Sequence, residues 1–143
     1  MNRRNLLRAA SAIALSSVAV MAVADHTETH QHGAGTSPLL NSALHCVKTG
    51  EVCEAHCFDR LAEGEKSLAA CARSVNALIA VCSALAVLAA QNSPLLPRYA
   101  AVAKDVCKAC EDECLKHSDK HAPCKACADA CADCARECAK IAA

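Results

Sequence analysis

Between Cys124 and Cys138 the chain places a cysteine every three or four residues, at 124, 127, 131, 134 and 138. An α-helix turns once in 3.6 residues, so this spacing stacks five thiols on one face, and the period-two alternation of a strand cannot accommodate it. Cys107, Cys110 and Cys114 repeat the rhythm upstream, in a stretch equally rich in Ala, Lys and Glu. Gly and Pro fall almost only where such helices would begin or end, which predicts four of them. Ser37-Pro38 opens a first helix over about 38–62, closed by Gly64; a second runs over about 66–91. Asn92-Ser93-Pro94 stops the second and caps a third, about 94–117, with Pro97 in its first turn, where no donor is lost. Ala122-Pro123 opens the fourth, which continues to about Ala142. Connections this short turn each helix back on its predecessor. The predicted fold is all-α, an antiparallel up-down-up-down four-helix bundle with a Cys-lined core.

The inward stripes follow from the period. The second helix offers Leu68, Cys71, Val75, Leu78, Cys82, Leu85 and Ala89; the third offers Leu96, Ala100, Ala103, Cys107, Cys110, Cys114 and His117. The fourth presents its five cysteines and Ile141, and the first presents Ala43, Cys46, Gly50, Cys53 and Cys57. Gly50 lies on its stripe, where a missing side chain leaves room for something else. All 13 cysteines of the 143-residue chain therefore belong to core-facing stripes.

Upstream of the bundle, Arg3-Arg4, Leu6-Leu7 and Arg8 precede an apolar stretch and the Ala22-Val23-Ala24 pattern. Residues 1–24 read as a twin-arginine signal peptide, which implies export to the periplasm and no stable membrane anchor. Residues 25–36 read as a disordered tail carrying His26, His30 and His32, and 37–143 as the bundle domain. The 15 basic and 15 acidic residues balance, but three arginines lie in the leader, so the remainder is mildly acidic. Scattered charge of that sign offers no footprint for nucleic acid.

Thirteen inward thiols admit several chemistries. Cysteine as a small hydrophobe is the plainest, yet Ala or Val packs as well without the redox hazard. Disulfides suit an exported chain, but the count is odd, and cysteines three or four apart on one helix hold their Cβ atoms about 5–6 Å apart. A disulfide wants about 3.5–4.5 Å. Metal binding remains. As thiolates the cysteines would load the core with negative charge that no Lys or Arg on the stripes cancels. A soft monovalent ion, Cu(I), at near one per thiolate neutralises it, and two ligands from one helix suffice. Zinc would leave a tetrathiolate site near −2, and iron–sulfur clusters take their ligands from loops; both stay as alternatives, with a disulfide-stapled structural bundle. The helices carry no Glu-x-x-His di-iron motif and no nucleophile beside a base, so the chain reads as no enzyme.

His45-Cys46, Cys53-x-x-His56-Cys57-Phe58, Cys71, Cys82, the Cys107–Cys114 run and the Cys124–Cys138 ladder resemble the bacterial copper storage proteins over essentially the whole chain after the tail. The exported branch of that family, found in methane-oxidising bacteria, also begins with a twin-arginine leader. The resemblance implies a homotetramer of four-helix bundles storing many Cu(I) ions for later supply to a copper enzyme such as methane monooxygenase. It makes metal ligands of Cys46, Cys53, Cys57, Cys71, Cys82, Cys107, Cys110, Cys114, Cys124, Cys127, Cys131, Cys134 and Cys138, with His56 as an additional ligand near the mouth. The family can use methionines there. This chain has only Met1 and Met21, both in the leader. His117 and His121 share the mouth end and read as exposed helix-terminal histidines, with ligation in place of methionine as the alternative. The opposite end, around Ser93, carries Leu85, Ala89, Leu96 and Ala100 and should be closed.

Overall fold

The computed structural model describes residues 37–142; the leader and the His-bearing tail expected upstream lie outside the described residues. Four α-helices follow one another: α1 (Ser37–Ala62), α2 (Ala69–Ala90), α3 (Leu96–Leu115) and α4 (Ala122–Ile141). Among the described residues, α1 packs on α2 and α4, and α3 packs on the same two helices, while the backbones of the diagonal pairs stay apart and meet only through cysteine side chains in the middle. The result is a square ring around one lumen, as the short connections require.

The punctuation works largely as expected. Gly64 takes φ +96°, and the Glu65 amide donates back to the Arg60 carbonyl at 2.9 Å, a glycine-centred helix stop. A 3-10 turn, Lys66–Leu68, then leads into α2, which therefore starts three residues later than the period suggested. Asn92, at φ +48°, turns the chain after α2.

The expected limits of the third helix are too wide at both ends. Ser93 and Pro94 form a turn outside it: the Ser93 hydroxyl accepts from the Leu95 amide at 3.3 Å and its carbonyl from the Leu96 amide at 3.0 Å. At the far end, Lys116, His117 and Ser118 donate to carbonyls three residues back, so the α-pattern tightens and stops at Leu115.

The stripes are the core. Every one of the thirteen cysteines is buried, as are Leu68, Val75, Leu78, Leu85, Ala89, Leu96, Ala100 and Ala103. Leu39, Ala72, Ala86, Ala128 and Ala130 join them from positions flanking the stripes. The space above Gly50 is not free for a guest: a β-carbon there would lie 2.9 Å from Ile79 Cγ1 and 3.6 Å from Val75 Cγ1. Gly50 lets α1 approach α2 closely, and Ile79 fills the gap.

Candidate metal centre

Antiparallel packing sets cysteines that are remote in sequence at common heights in the lumen. Cys46, Cys82, Cys107 and Cys134, one from each helix, hold their sulfurs within 4.8 Å of one another. Nearer the α2 N-terminus, Cys53, Cys57, Cys71 and Cys124 form a second set of four. Cys53, Cys114 and Cys127 form a third group, and Cys110, Cys127 and Cys131 a fourth, so Cys53 and Cys127 each belong to two. Cys138 belongs to none of these groups and is the last sulfur toward the C-terminus of α4.

The thiols bond chiefly to each other. Sulfur–sulfur separations are 3.6 Å for Cys71–Cys114, 3.8 Å for Cys53–Cys124 and for Cys82–Cys107, and 3.9 Å for Cys71–Cys124 and for Cys110–Cys114. Each exceeds a disulfide bond of about 2.05 Å by well over an ångström, and all thirteen are free thiols. Cys46 is the exception in partner: its S–H donates to the Ala130 carbonyl at 3.1 Å.

Protonation in this core is uneven. Burial, then repulsion from Cys71 and Cys53, pushes the Cys57 thiol up from its ordinary 9.0. Hydrogen bonding with Cys53 pulls the Cys124 thiol down, but the Cys71 bond and burial outweigh it and leave it at about 11. Cys110 is held low by hydrogen bonds from Cys114, Cys127 and Cys131, and Cys134 by those from Cys107, Cys138, Cys46 and Cys82. A few sulfurs thus hold charge by accepting from neighbours that keep their protons. The only buried polar or charged side chain among the described residues is His121, so no ammonium or guanidinium is buried beside the thiols, and only Lys104 acts from outside, on Cys138. Full ionisation of the lumen requires cations that come with the ligand.

A family profile described as copper storage protein matches residues 33–143. The chain belongs to the copper storage protein family. The Cu(I)-bound copper storage protein BsCsp3 is similar in structure, with 28% identity, a TM-score of 0.71, and coverage of 76% of this chain and 99% of that one. The copper-free copper storage protein 3 from Bacillus subtilis gives 29% identity, a TM-score of 0.67 and the same coverage. A copper storage protein from Streptomyces lividans loaded with 10 copper equivalents gives 24% identity and a TM-score of 0.70, covering 80% of this chain and 92% of that one, and bears on the fold alone. Comparison with curated proteins finds no match. The family is one of storage proteins rather than enzymes.

His56, which the resemblance makes an additional ligand, is half-buried on α1 next to Cys57 in the chain and belongs to none of the four sulfur groups. The reading of His117 and His121 as exposed helix-terminal residues is overturned. His121 is 9% exposed, because the turn after α3 folds it inward against α1. Its Nδ1 lies 2.9 Å from His56 Nε2, and its Nε2 lies 3.1 Å from Glu65 Oε1. His117 is also drawn in, and its Nε2 is buried with no hydrogen-bond partner. Leaving such a group unsatisfied costs about 1–3 kcal/mol. A depression of about 310 Å³ lined by Glu65, Ser67, Lys116, His117, Asp119, Lys120 and His121 opens at this end. Glu65 went unnoticed in the sequence, where it is one more charge in a polar loop. Only its reach across to α4 distinguishes it.

Proposed function

We propose that this chain stores Cu(I) in bulk, with all thirteen cysteines as thiolate ligands and His56 as a further ligand at the mouth. The observation that carries the reading is the convergence of buried sulfurs from four helices into adjoining groups, three of which share a member with a neighbour, in a core that holds no buried Lys or Arg among the described residues. Soft monovalent ions placed between sulfurs 3.6–3.9 Å apart neutralise the lumen as they fill it. The copper comes and goes by the end that holds His56, His117 and His121. Leu85, Ala89, Leu96 and Ala100, all buried, support closure of the other end.

The leader pattern at Arg3-Arg4 and Ala22-Val23-Ala24 supports export by the twin-arginine route and residence in the periplasm. Resemblance to the exported branch supports supply to a copper enzyme such as methane monooxygenase. A homotetramer is supported by α2, which carries no charged residue after Arg73 and leaves Ala77, Ala80 and Val87 on its outer side exposed to solvent in a single chain. Such a face favours burial against a second copy.

Anaerobic titration of the reduced protein with Cu(I), against a strong chromogenic chelator, tests the storage reading. Uptake approaching the cysteine count supports it. Saturation at three or four ions would instead point to zinc-like sites and overturn it.

A further inference from the structure

Three side chains at the mouth form a hydrogen-bonded chain that thiolate storage does not require. Glu65 Oε1 meets His121 Nε2 at 3.1 Å, and His121 Nδ1 meets His56 Nε2 at 2.9 Å, so both nitrogens of His121 are engaged. An ionised carboxylate only accepts hydrogen bonds, so His121 Nε2 carries the proton shared with Glu65. In that Nε2–H tautomer His121 Nδ1 holds a lone pair, and His56 Nε2 is the donor to it. His56 then keeps its own lone pair on Nδ1. The order of the protons along the whole chain follows from the carboxylate at its head.

We infer that Glu65 and His121 are positioning residues: their two hydrogen bonds hold His56 as the Nε2–H tautomer and so present its Nδ1 to an incoming cuprous ion. The inference rests on reading this end as the mouth. It separates the histidines by role. His56 is a donor to copper. His121, with neither nitrogen free, is a support. This is the arrangement by which a histidine ligand gives its second ring N–H to an acceptor that fixes its orientation, with one imidazole interposed before the carboxylate. His117 differs from His121 in the relevant respect. Its Nε2 is buried and unpartnered, and the Glu113 carboxylate oxygen at 3.9 Å is too far to bond it. That leaves His117 Nε2 as the second nitrogen at this end open to a cation, its ring 6.4 Å from that of His121.

Long-range proton–nitrogen correlations of the imidazole rings, recorded on the ¹⁵N-labelled, reduced, copper-free protein, read the tautomers directly. The expected result is Nε2–H for both His56 and His121, with loss of that preference at His56 in Glu65→Ala. Cuprous transfer from a chelator, followed by stopped flow, should slow about tenfold in Glu65→Ala, with the number of ions at saturation retained. His121→Ala should slow it similarly, and the double variant no further. Glu63→Ala removes a neighbouring exposed carboxylate that pairs with Arg60, and should leave both the tautomers and the rate as they are. An Nδ1–H tautomer at His56, an unchanged His56 in Glu65→Ala, or equal slowing in Glu63→Ala would overturn the inference. A parent protein that takes up little copper would sink the storage reading instead, while the ring spectra of the copper-free protein still decide the role of Glu65.

Discussion

Cys71 Sγ on α2 and Cys114 Sγ on α3 stand 3.6 Å apart, and the sulfur of Cys53 lies within 4.8 Å of each. The pair is close enough to share one ion and too far apart to be bonded. Cys71 also belongs to the set with Cys53, Cys57 and Cys124, whereas Cys138 belongs to none of the groups. Cys71→Ser should therefore lower cuprous capacity by roughly one to two ions, and Cys138→Ser by less, since bridging sulfurs serve several ions. Titration of the two variants side by side checks this, with thiol counting on the reduced parent expected to find all thirteen groups free.

Copper loading should release protons. Cys57 and Cys124 both hold their thiols above the ordinary 9.0, the former through burial and repulsion from Cys71 and Cys53. Each proton lost to a cuprous ion makes uptake tighter as pH rises, by up to about tenfold per pH unit per proton displaced. Competition with a chelator of known pH dependence, between pH 6 and 8 in order-of-magnitude steps of proton activity, measures the slope. A flat profile would mean the receiving sulfurs are already ionised.

The copper-free bundle should lose stability in alkali. A thiol raised in the folded state favours the fold fully below its unfolded value and loses that contribution as pH rises through the folded one. For Cys124 that window runs from 9.0 to about 11. Cys53 and Cys71, held low first by hydrogen bonding from Cys114, are shifted in the opposite direction, so their contribution is kept, not lost, as pH rises through it. Each raised thiol contributes at most about 1.4 kcal/mol per pH unit. Thermal melts of copper-free protein should fall over this interval, and those of copper-loaded protein, whose thiolates are already formed, should not.

Gly50→Ala should destabilise the bundle by about 1–3 kcal/mol, because the new β-carbon would press to 2.9 Å of Ile79 Cγ1. Pairing it with Ile79→Val, which shortens the opposing side chain, should recover part of the loss. Urea unfolding of the two single variants and the double variant provides the cycle. Additive losses would show that Ile79 is not what the methyl group meets.

Leu85 is fully buried on α2, one helical turn beyond Cys82 in the direction of the Ser93 loop, and belongs to no sulfur group. Leu85→Ala should cost about 2–5 kcal/mol of stability through the cavity it leaves. Cuprous capacity should be unchanged in protein that remains folded. A capacity loss matching the stability loss would place this end within the storage compartment.

Much of this molecule was legible before any coordinates. A three-four rhythm of cysteine commits each segment to a helix and to one inward face, since helical phase depends only on residues a few positions apart. Short polar loops then force antiparallel neighbours, and the thirteen sulfurs have to meet inside. Gly64 and Pro123 mark their boundaries because φ and the missing amide act locally. The ends of α3 were less legible: the shift to three-residue hydrogen bonds beyond Leu115 depends on how the turn folds over α1 and α4.

What tertiary structure alone decided is which distant residues share a height. The Cys46, Cys82, Cys107 and Cys134 set depends on the relative slide of four helices, and that slide is set by packing such as Ile79 over Gly50. The same holds for His121, which local pattern leaves at a solvent-facing helix end and the turn carries between Glu65 and His56. Local periodicity determines which way a side chain points. Only close packing between helices determines what it meets there, because a contact is a sum over surfaces far apart in the chain.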